Sequence, residues 1–477
     1  MGSLLSKVGS LFRNHGALLL SFGVGLFIWF LPHPEGLDVR AWHVLAIFIA
    51  TIVAIVTKPL PMGAVAICSI AVCMATGTLT AGEALSGFSK GSIWLIVIAF
   101  FIARGFIKTQ LGTRIACFFV RAFGKSSLSL AYSFVFSEYL LAPAIPSSTA
   151  RSGGIIFPVL NALSQSLKSK PNDPSARDLG SFLTLCSFQG DAIISGLFLT
   201  AMAGNPLIAE FSAELGVHLT WGLWALAALV PGIVCFIVVP WVIYLVHPPR
   251  IKRVPNASAL AHEKLEEIGP MKRSEKILLG TFFILIGLWV FGDTVGISSV
   301  ATAVIGLSIL LLSGVLTWDD VLSEKGAWET LVWFSTLLML AGFLNKFGVI
   351  ECLGDYIRSQ VSGLSWPLAF SLLSLLYYYS HYLFASSTAH IGAMYAAFLS
   401  LSIVLGTPPL FAALILAYFS SFFGGLTHYG SGPAPVLFGA GYVSVRDWWI
   451  VGGVVSVVSI AILVVIGGAW WRFLGYW

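Results

Sequence analysis

Pro146-Ser147-Ser148-Thr149-Ala150-Arg151-Ser152-Gly153-Gly154-Ile155-Ile156-Phe157-Pro158 is a polar tract set in apolar sequence, and it has a counterpart in Ala385-Ser386-Ser387-Thr388-Ala389-His390-Ile391-Gly392-Ala393-Met394-Tyr395-Ala396-Ala397. In both, Ser-Ser-Thr-Ala precedes a basic or potentially basic side chain, Arg151 or His390, and a glycine follows two positions on, Gly153 or Gly392. The second copy lies 239 positions after the first, half of the 477 residues. Each tract interrupts an otherwise continuous apolar run, so the two call for one explanation.

The surrounding sequence is 57% hydrophobic and only 10% charged, with a mean hydropathy of +0.92. That is more apolar surface than a soluble domain can cover with so few charges, and it implies a polytopic membrane protein. Sixteen Trp and 35 Phe suit helices with aromatic ends at the headgroups, and no alternating ten-residue pattern suggests a barrel, so the expected fold is all-α. The net charge of +5 is spread over loops and implies no nucleic-acid partner. Six cysteines show no CxxC spacing and mostly lie in apolar runs, as small core residues do. Lys7 and Arg13 precede an uncharged run whose end, Pro32-His33-Pro34-Glu35, lacks a cleavage site, which marks a retained first span.

Runs of spanning length at residues 16–31, 41–57, 59–80, 91–119, 179–209, 221–246, 277–291, 297–316, 330–347, 410–445 and 448–471 give about eleven transmembrane helices. Two further apolar stretches, residues 126–167 and 364–405, carry the Ser-Ser-Thr tracts at their centres and read as re-entrant hairpins. The long hydrophilic segment 247–276 is rich in Lys and Arg and is assigned to the cytoplasm, together with the N-terminal tail. Reading 126–167 as a hairpin keeps Arg114, Arg121, Lys125, Lys168, Lys170 and Arg177 on that same side. Five spans after the linker then put the C-terminus in the periplasm, and the second hairpin enters from the outer face. Residues 1–246 and 277–477 are thus expected as inverted repeats, with broken spans at 179–220 and 410–445. A weaker echo, Gly105-Phe106 with Gly112 against Gly342-Phe343 with Gly348, points the same way.

Backbone that leaves the helix at membrane depth is tolerated only where protein or water satisfies it, so the hairpin tips are candidate binding sites. Helix starts near Thr149 and Thr388, with serine hydroxyls as caps, would offer N–H groups to an anion from two sides. Ser147, Ser148, Thr149, Ser386, Ser387 and Thr388 are therefore candidate substrate ligands. Arg151 adds a permanent charge that needs an anion, either the substrate or a structural partner such as Glu138 or Asp191. Between Ser359 and Val445 there is no Asp, Glu, Lys or Arg, and the titratable cations are His381, His390 and His428. His390 takes the place of Arg151 in the second copy. The breaks Gly204-Asn205-Pro206 and Thr427-His428-Tyr429-Gly430-Ser431-Gly432-Pro433-Ala434-Pro435 expose carbonyls beside hydroxyl and amide groups. Such loops suit Na⁺ or a polar substrate, and add Asn205, Thr427, His428 and Ser431 to the candidates. No HExxH, GxSxG, Walker A or Rossmann fingerprint stands in a fitting context, so no catalytic residue, metal centre or cofactor is expected and an enzyme is the weaker class.

Paired Ser-x-Thr tips, each followed by a broken span, resemble the divalent anion:sodium symporter family over nearly the whole chain. The form here is most similar to a branch of bacterial citrate/succinate and tartrate/succinate antiporters and the plastid 2-oxoglutarate/malate translocator. The resemblance implies a homodimeric elevator transporter whose tips and breaks hold a di- or tricarboxylate. The sodium-coupled pattern reads Ser-Asn-Thr at the tip, whereas Ser148 and Ser387 stand here at the asparagine positions. Sodium-independent exchange is the resulting expectation, with fixed positive charge near the site offsetting the substrate. The short basic N-terminus, without a Ser-rich transit segment, favours a bacterial inner membrane.

Overall fold

Within hydrocarbon every N–H and C=O must find its partner inside its own segment, so apolar stretches of this length form helices. The computed structural model describes residues 2–34, 36–349, 351–352 and 365–477, with backbone alone for residues 2–14 and Asp293. It is all-helical, and among the described residues the only strand-like pairing is an isolated bridge between Ser126 and Arg253. Residue 364, the first of the expected second hairpin, lies outside the described residues.

The first half runs α1 (Gly2–Phe30), α2 (Val39–Thr57), α3 (Met62–Ala75), α4 (Gly91–Thr109), α5 (Leu111–Phe123), α6 (Ser127–Leu141), α7 (Phe157–Ser166), α8 (Gly180–Leu197), α9 (Gly204–Glu214) and α10 (Trp221–Val246). A linker helix, α11 (Ala257–Ile268), follows. The second half holds α12 (Arg273–Val295), α13 (Ser299–Leu312), α14 (Lys325–Lys346), α15 (Trp366–Tyr379), α16 (Ala396–Val404), α17 (Pro409–Phe422), α18 (Ala434–Gly439) and α19 (Val445–Ala461), which continues through a π segment to Phe473.

Among the described residues seven helices are long and apolar enough to cross a bilayer, and four shorter ones are apolar. This set differs from the expected runs. Residues 91–119 are not one span: Gln110, at φ 61, turns the chain between α4 and α5. Arg114 of α5 reaches Glu275 at 2.5 Å and the Gly269 carbonyl at 2.9 Å, which ties α5 to the end of the linker. The linker also pairs backbone to backbone with the entry to the first hairpin, through Ser127 N–H to the Lys252 carbonyl and Val254 N–H to the Lys125 carbonyl. Conversely, Ser387–Val404 qualifies as a spanning helix, whereas α8 does not, because Ser181, Thr184, Ser187, Gln189, Asp191 and Ser195 dilute its apolar surface.

The core is built on α8 and α17, which pack on each other. Every residue of α8 is buried, as is α17 from Phe411 onward. Polar side chains on a helix buried on all sides need partners; on α8 Ser181, Gln189, Asp191 and Ser195 find them, whereas the Thr184 and Ser187 hydroxyls have none among the described residues. A second, smaller core joins α2 and α3 to the end of α14. Both central helices stop inside the protein, at Phe198 and Phe423, where the two broken segments begin.

Candidate substrate-binding site

Each hairpin turns at its Ser-Ser-Thr tract in the same way. Ser147 Oγ accepts from the Ala150 N–H at 3.2 Å, and Ser386 Oγ accepts from the Ala389 N–H at 3.3 Å, so the first serine of each tract caps the second arm. The first arm opens with a π segment, Thr149–Ile156, which holds Arg151; in the second a short α turn, Ser387–His390, comes first and the π segment Ile391–Tyr395 follows it. Such wide turns inside a helix recur at functional positions.

The tips cross to the opposite half. A Cβ on Gly432 would overlap Thr149 Oγ1, so the second break lies directly on the first tip. A Cβ on Gly204 would lie 2.5 Å from Ile391 Cδ1, so the first break lies on the second tip. Between these four segments is a cavity of about 210 Å³. The first tip lines it with Pro146, Ser147, Ser148 and Thr149, and the second with Ser386, Ser387 and Thr388. Helix α8 adds Asp191, Ala192 and Ser195, and α17 adds Ser421. The breaks contribute Met202, Ala203, Gly424, Ser431 and Gly432. Phe100 of α4 with Thr330 and Trp333 of α14 close the remaining side. Ser431 Oγ has no hydrogen-bond partner among the described residues, which leaves a donor free at the wall.

The other sequence candidates stand behind this wall. Arg151 is fully buried and takes its hydrogen-bond acceptors from its own half. Its Nη1 donates to the carbonyls of Ile145 (2.8 Å) and Ala201 (2.9 Å), and its Nη2 to Asp191 Oδ1 (2.7 Å) and Ser195 Oγ (2.8 Å). Glu138 Oε1 lies 3.5 Å from its Nε. The guanidinium is thus an ion-paired brace between the first tip and the first break, and both acids weighed as its partners flank it. Asn205 staples that break by donating to the Ser195 carbonyl at 2.7 Å and the Phe198 carbonyl at 2.9 Å.

In the second half, His381 Nε2 lies 2.8 Å from the Gly430 carbonyl, which can only accept, so Nε2 carries the proton. His381 Nδ1 is then the acceptor for His390 Nδ1 at 3.2 Å, and His390 Nε2 faces the Ser380 hydroxyl at 3.1 Å. The Ser380 hydroxyl donates to the Tyr377 carbonyl at 2.9 Å and so can accept from His390 Nε2, and this arrangement accommodates His390 either neutral or protonated. Thr427 is buried with its hydroxyl unpartnered, and His428 accepts from Trp449 Nε1 at 3.1 Å. Neither lines the cavity.

Sequence reasoning missed Phe100, Thr330, Trp333, Ser195 and Ser421 as lining residues. Asp191 had a signal, being the one acid in the run 179–209, but in the sequence it is named only as a partner for Arg151. Nothing in the sequence separates Trp333 from fifteen other tryptophans.

Solved structures with this fold are transporters. The chain matches the Neisseria gonorrhoeae MtrF structure, described as illuminating a class of antimetabolite efflux pumps, with a TM-score of 0.54 at 12% identity over 93% of this chain and 96% of that one. It matches the Alcanivorax borkumensis YdaH transporter at a TM-score of 0.53 and 12% identity, covering 84% and 88%. Sequence relatives are far closer. The putative malate transporter YflS of Bacillus subtilis is 54% identical over 96% of both chains. Dicarboxylate transporter 1, chloroplastic, of Arabidopsis thaliana is 52% identical over 96% of this chain and 83% of its own. The family model described as the sodium:sulfate symporter transmembrane region matches residues 13–477. This multi-pass membrane protein therefore belongs to the divalent anion:sodium symporter family of transporters.

Proposed function

We propose that the protein exchanges di- or tricarboxylates of the malate, succinate, 2-oxoglutarate and citrate kind across a bacterial inner membrane, independently of sodium. Two inverted repeats, residues 1–246 and 277–477 joined by the cytoplasmic linker 247–276, would form a mobile unit and a scaffold. A homodimer with cytoplasmic N-termini and periplasmic C-termini would operate as an elevator. The substrate's two ends would lie against Ser147–Thr149 and Ser386–Thr388, with Ser431 as a further donor. It is carried unaltered, so no chemistry is asked of the site.

The observation that carries sodium independence is the fate of the carbonyls at the tips and breaks. A bare alkali cation needs several oxygens free to point at it. Here the Ile145 and Ala201 carbonyls accept from Arg151, and the Gly430 carbonyl accepts from His381 and Ser387. Side-chain N–H groups hold the places where an ion would be coordinated. Arg151 thus bears on exchange through the backbone it occupies, since its charge is already matched by Asp191.

Counterflow in proteoliposomes tests the reading. Labelled malate should enter vesicles preloaded with malate, with or without Na⁺, and should not accumulate in empty ones. Uptake into empty vesicles that requires Na⁺ would establish symport instead, the mode that the matched family's description names. Malate recovered chemically changed would point to an enzyme.

A further inference from the structure

The ion-paired brace around Arg151 does not balance. Glu138 and Asp191 contribute two carboxyl groups, Arg151 contributes one guanidinium, and all three side chains are at most 3% exposed. The remaining elements packed on Glu138 supply no second cation. Helix α10 carries no charged residue between Trp221 and Val246. On α5, Arg114 is taken up by Glu275, and Arg121 is exposed. From α8 the facing titratable group is Asp191 itself, with Cys186 one turn away. The two carboxyls are also served unequally. Asp191 Oδ1 receives a charge-assisted hydrogen bond from Arg151 at 2.7 Å. Among the described residues neither oxygen of Glu138 has a hydrogen-bond partner, and Arg151 Nε, 3.5 Å away, makes no hydrogen bond. An ionised carboxylate buried without donors is costly enough that the group takes up a proton instead.

We propose that Glu138 is a proton-binding site that holds one proton at neutral pH and is linked through Arg151 and Asp191 to the substrate cavity. Asp191 is the member of the cluster on the cavity wall. An anion bound there adds negative charge beside the guanidinium that Asp191 and Glu138 share, and so favours retention of the proton on Glu138. By linkage the proton favours the anion equally. The proton site stands on the geometry alone, whereas its link to malate rests on the transport reading above.

Infrared spectroscopy of the full-length protein in liposomes at neutral pH tests both parts. A carboxylic acid has a C=O stretch that an ionised carboxylate lacks. The wild type should show this band, the band should shift when the protein is made with carboxyl-¹³C glutamate, and it should vanish in Glu138→Gln. Isotope labelling keeps the test decisive should Glu138→Gln not fold. No band, or a band that moves only with labelled aspartate, overturns the site. Adding malate should displace the band, with malate binding followed in parallel by equilibrium dialysis. Bound malate with an unmoved band overturns the link to the cavity, and failure of malate to bind overturns the transport reading and the link together.

Discussion

Arg151 bonds to four acceptors spread over the first hairpin, α8 and the first break. Removing one partner from a buried charge network leaves the others uncompensated, at a cost of about 3–5 kcal/mol. Arg151→Ala should therefore reduce folded yield and thermal stability as well as transport, and Arg151→Lys should recover little, since an ammonium cannot span those acceptors. A monodisperse, thermally unaltered Arg151→Ala protein that has lost only counterflow would instead assign the guanidinium to substrate. Ser431→Ala should behave differently. Its hydroxyl is unpartnered among the described residues, so stability should hold, while malate binding weakens by about 0.5–1.5 kcal/mol, a roughly two- to tenfold rise in Kd. An unchanged Kd would remove Ser431 from the site.

Among the elements, the crossed contacts of tips and breaks make the strongest demand on sequence. Gly432→Ala drives a methyl into Thr149, and Gly204→Ala drives one into Ile391. Overpacking of this kind costs about 1–3 kcal/mol. Each substitution should depress exchange through the tip of the other half, and Thr149→Ser should partly rescue Gly432→Ala, because a serine hydroxyl without the second branch at Cβ can rotate away from the new methyl. No rescue would show that the two segments separate during transport. The turns at the two Ser-Ser-Thr tracts were legible because a polar tract inside about twenty apolar residues on either side has few explanations; the breaks were legible only in outline, since Gly204-Asn205-Pro206 and Pro433 open the following helices while α8 and α17 end earlier, at Phe198 and Phe423. The turn at Gln110 was not legible. Arg104, Lys108, Thr109 and Gln110 do interrupt the apolar run, but the left-handed residue is neither glycine nor asparagine. The roles of Arg151 and His390 were half legible: their positions at the tips could be read from the repeat, but whether a side chain faces inward to substrate or backward to a brace depends on partners fifty residues away. For the first arm those partners are Asp191, Ser195 and Ala201.

Across the whole molecule, movement and pH give two measurable consequences. Lys90, at the start of α4, lies 4.0 Å from Glu210 of α9, and Asn345 of α14 donates to the Glu214 carbonyl at 2.9 Å. If α9 travels with the mobile unit while α4 and α14 stay, this contact must break in every cycle. A short chemical cross-link between Lys90→Cys and Glu210→Cys, in a background free of native cysteines, should halt counterflow reversibly; undiminished exchange would argue against the elevator. His247, where α10 meets the linker, lies 2.6 Å from Ser181 Oγ. Burial first and the Arg177 charge second push its pKa down to about 4. The unfolded chain then binds more protons than the folded one between about pH 6.5 and 4, so His247 contributes stability above that window that is lost as pH falls through it. The thermal midpoint should drop over this range, and less steeply in His247→Gln. The cluster around Arg151 also bears on biosynthesis. Its members Glu138, Ile145, Asp191, Ser195 and Ala201 all precede residue 247, while His381, His390, Ser380 and Gly430 all follow the linker. The Arg151 guanidinium can therefore find its acceptors before the second half is made. The cavity, and bonds that cross between the halves such as Gln189 Nε2 to the Gly425 carbonyl at 2.8 Å, must wait until translation is nearly complete.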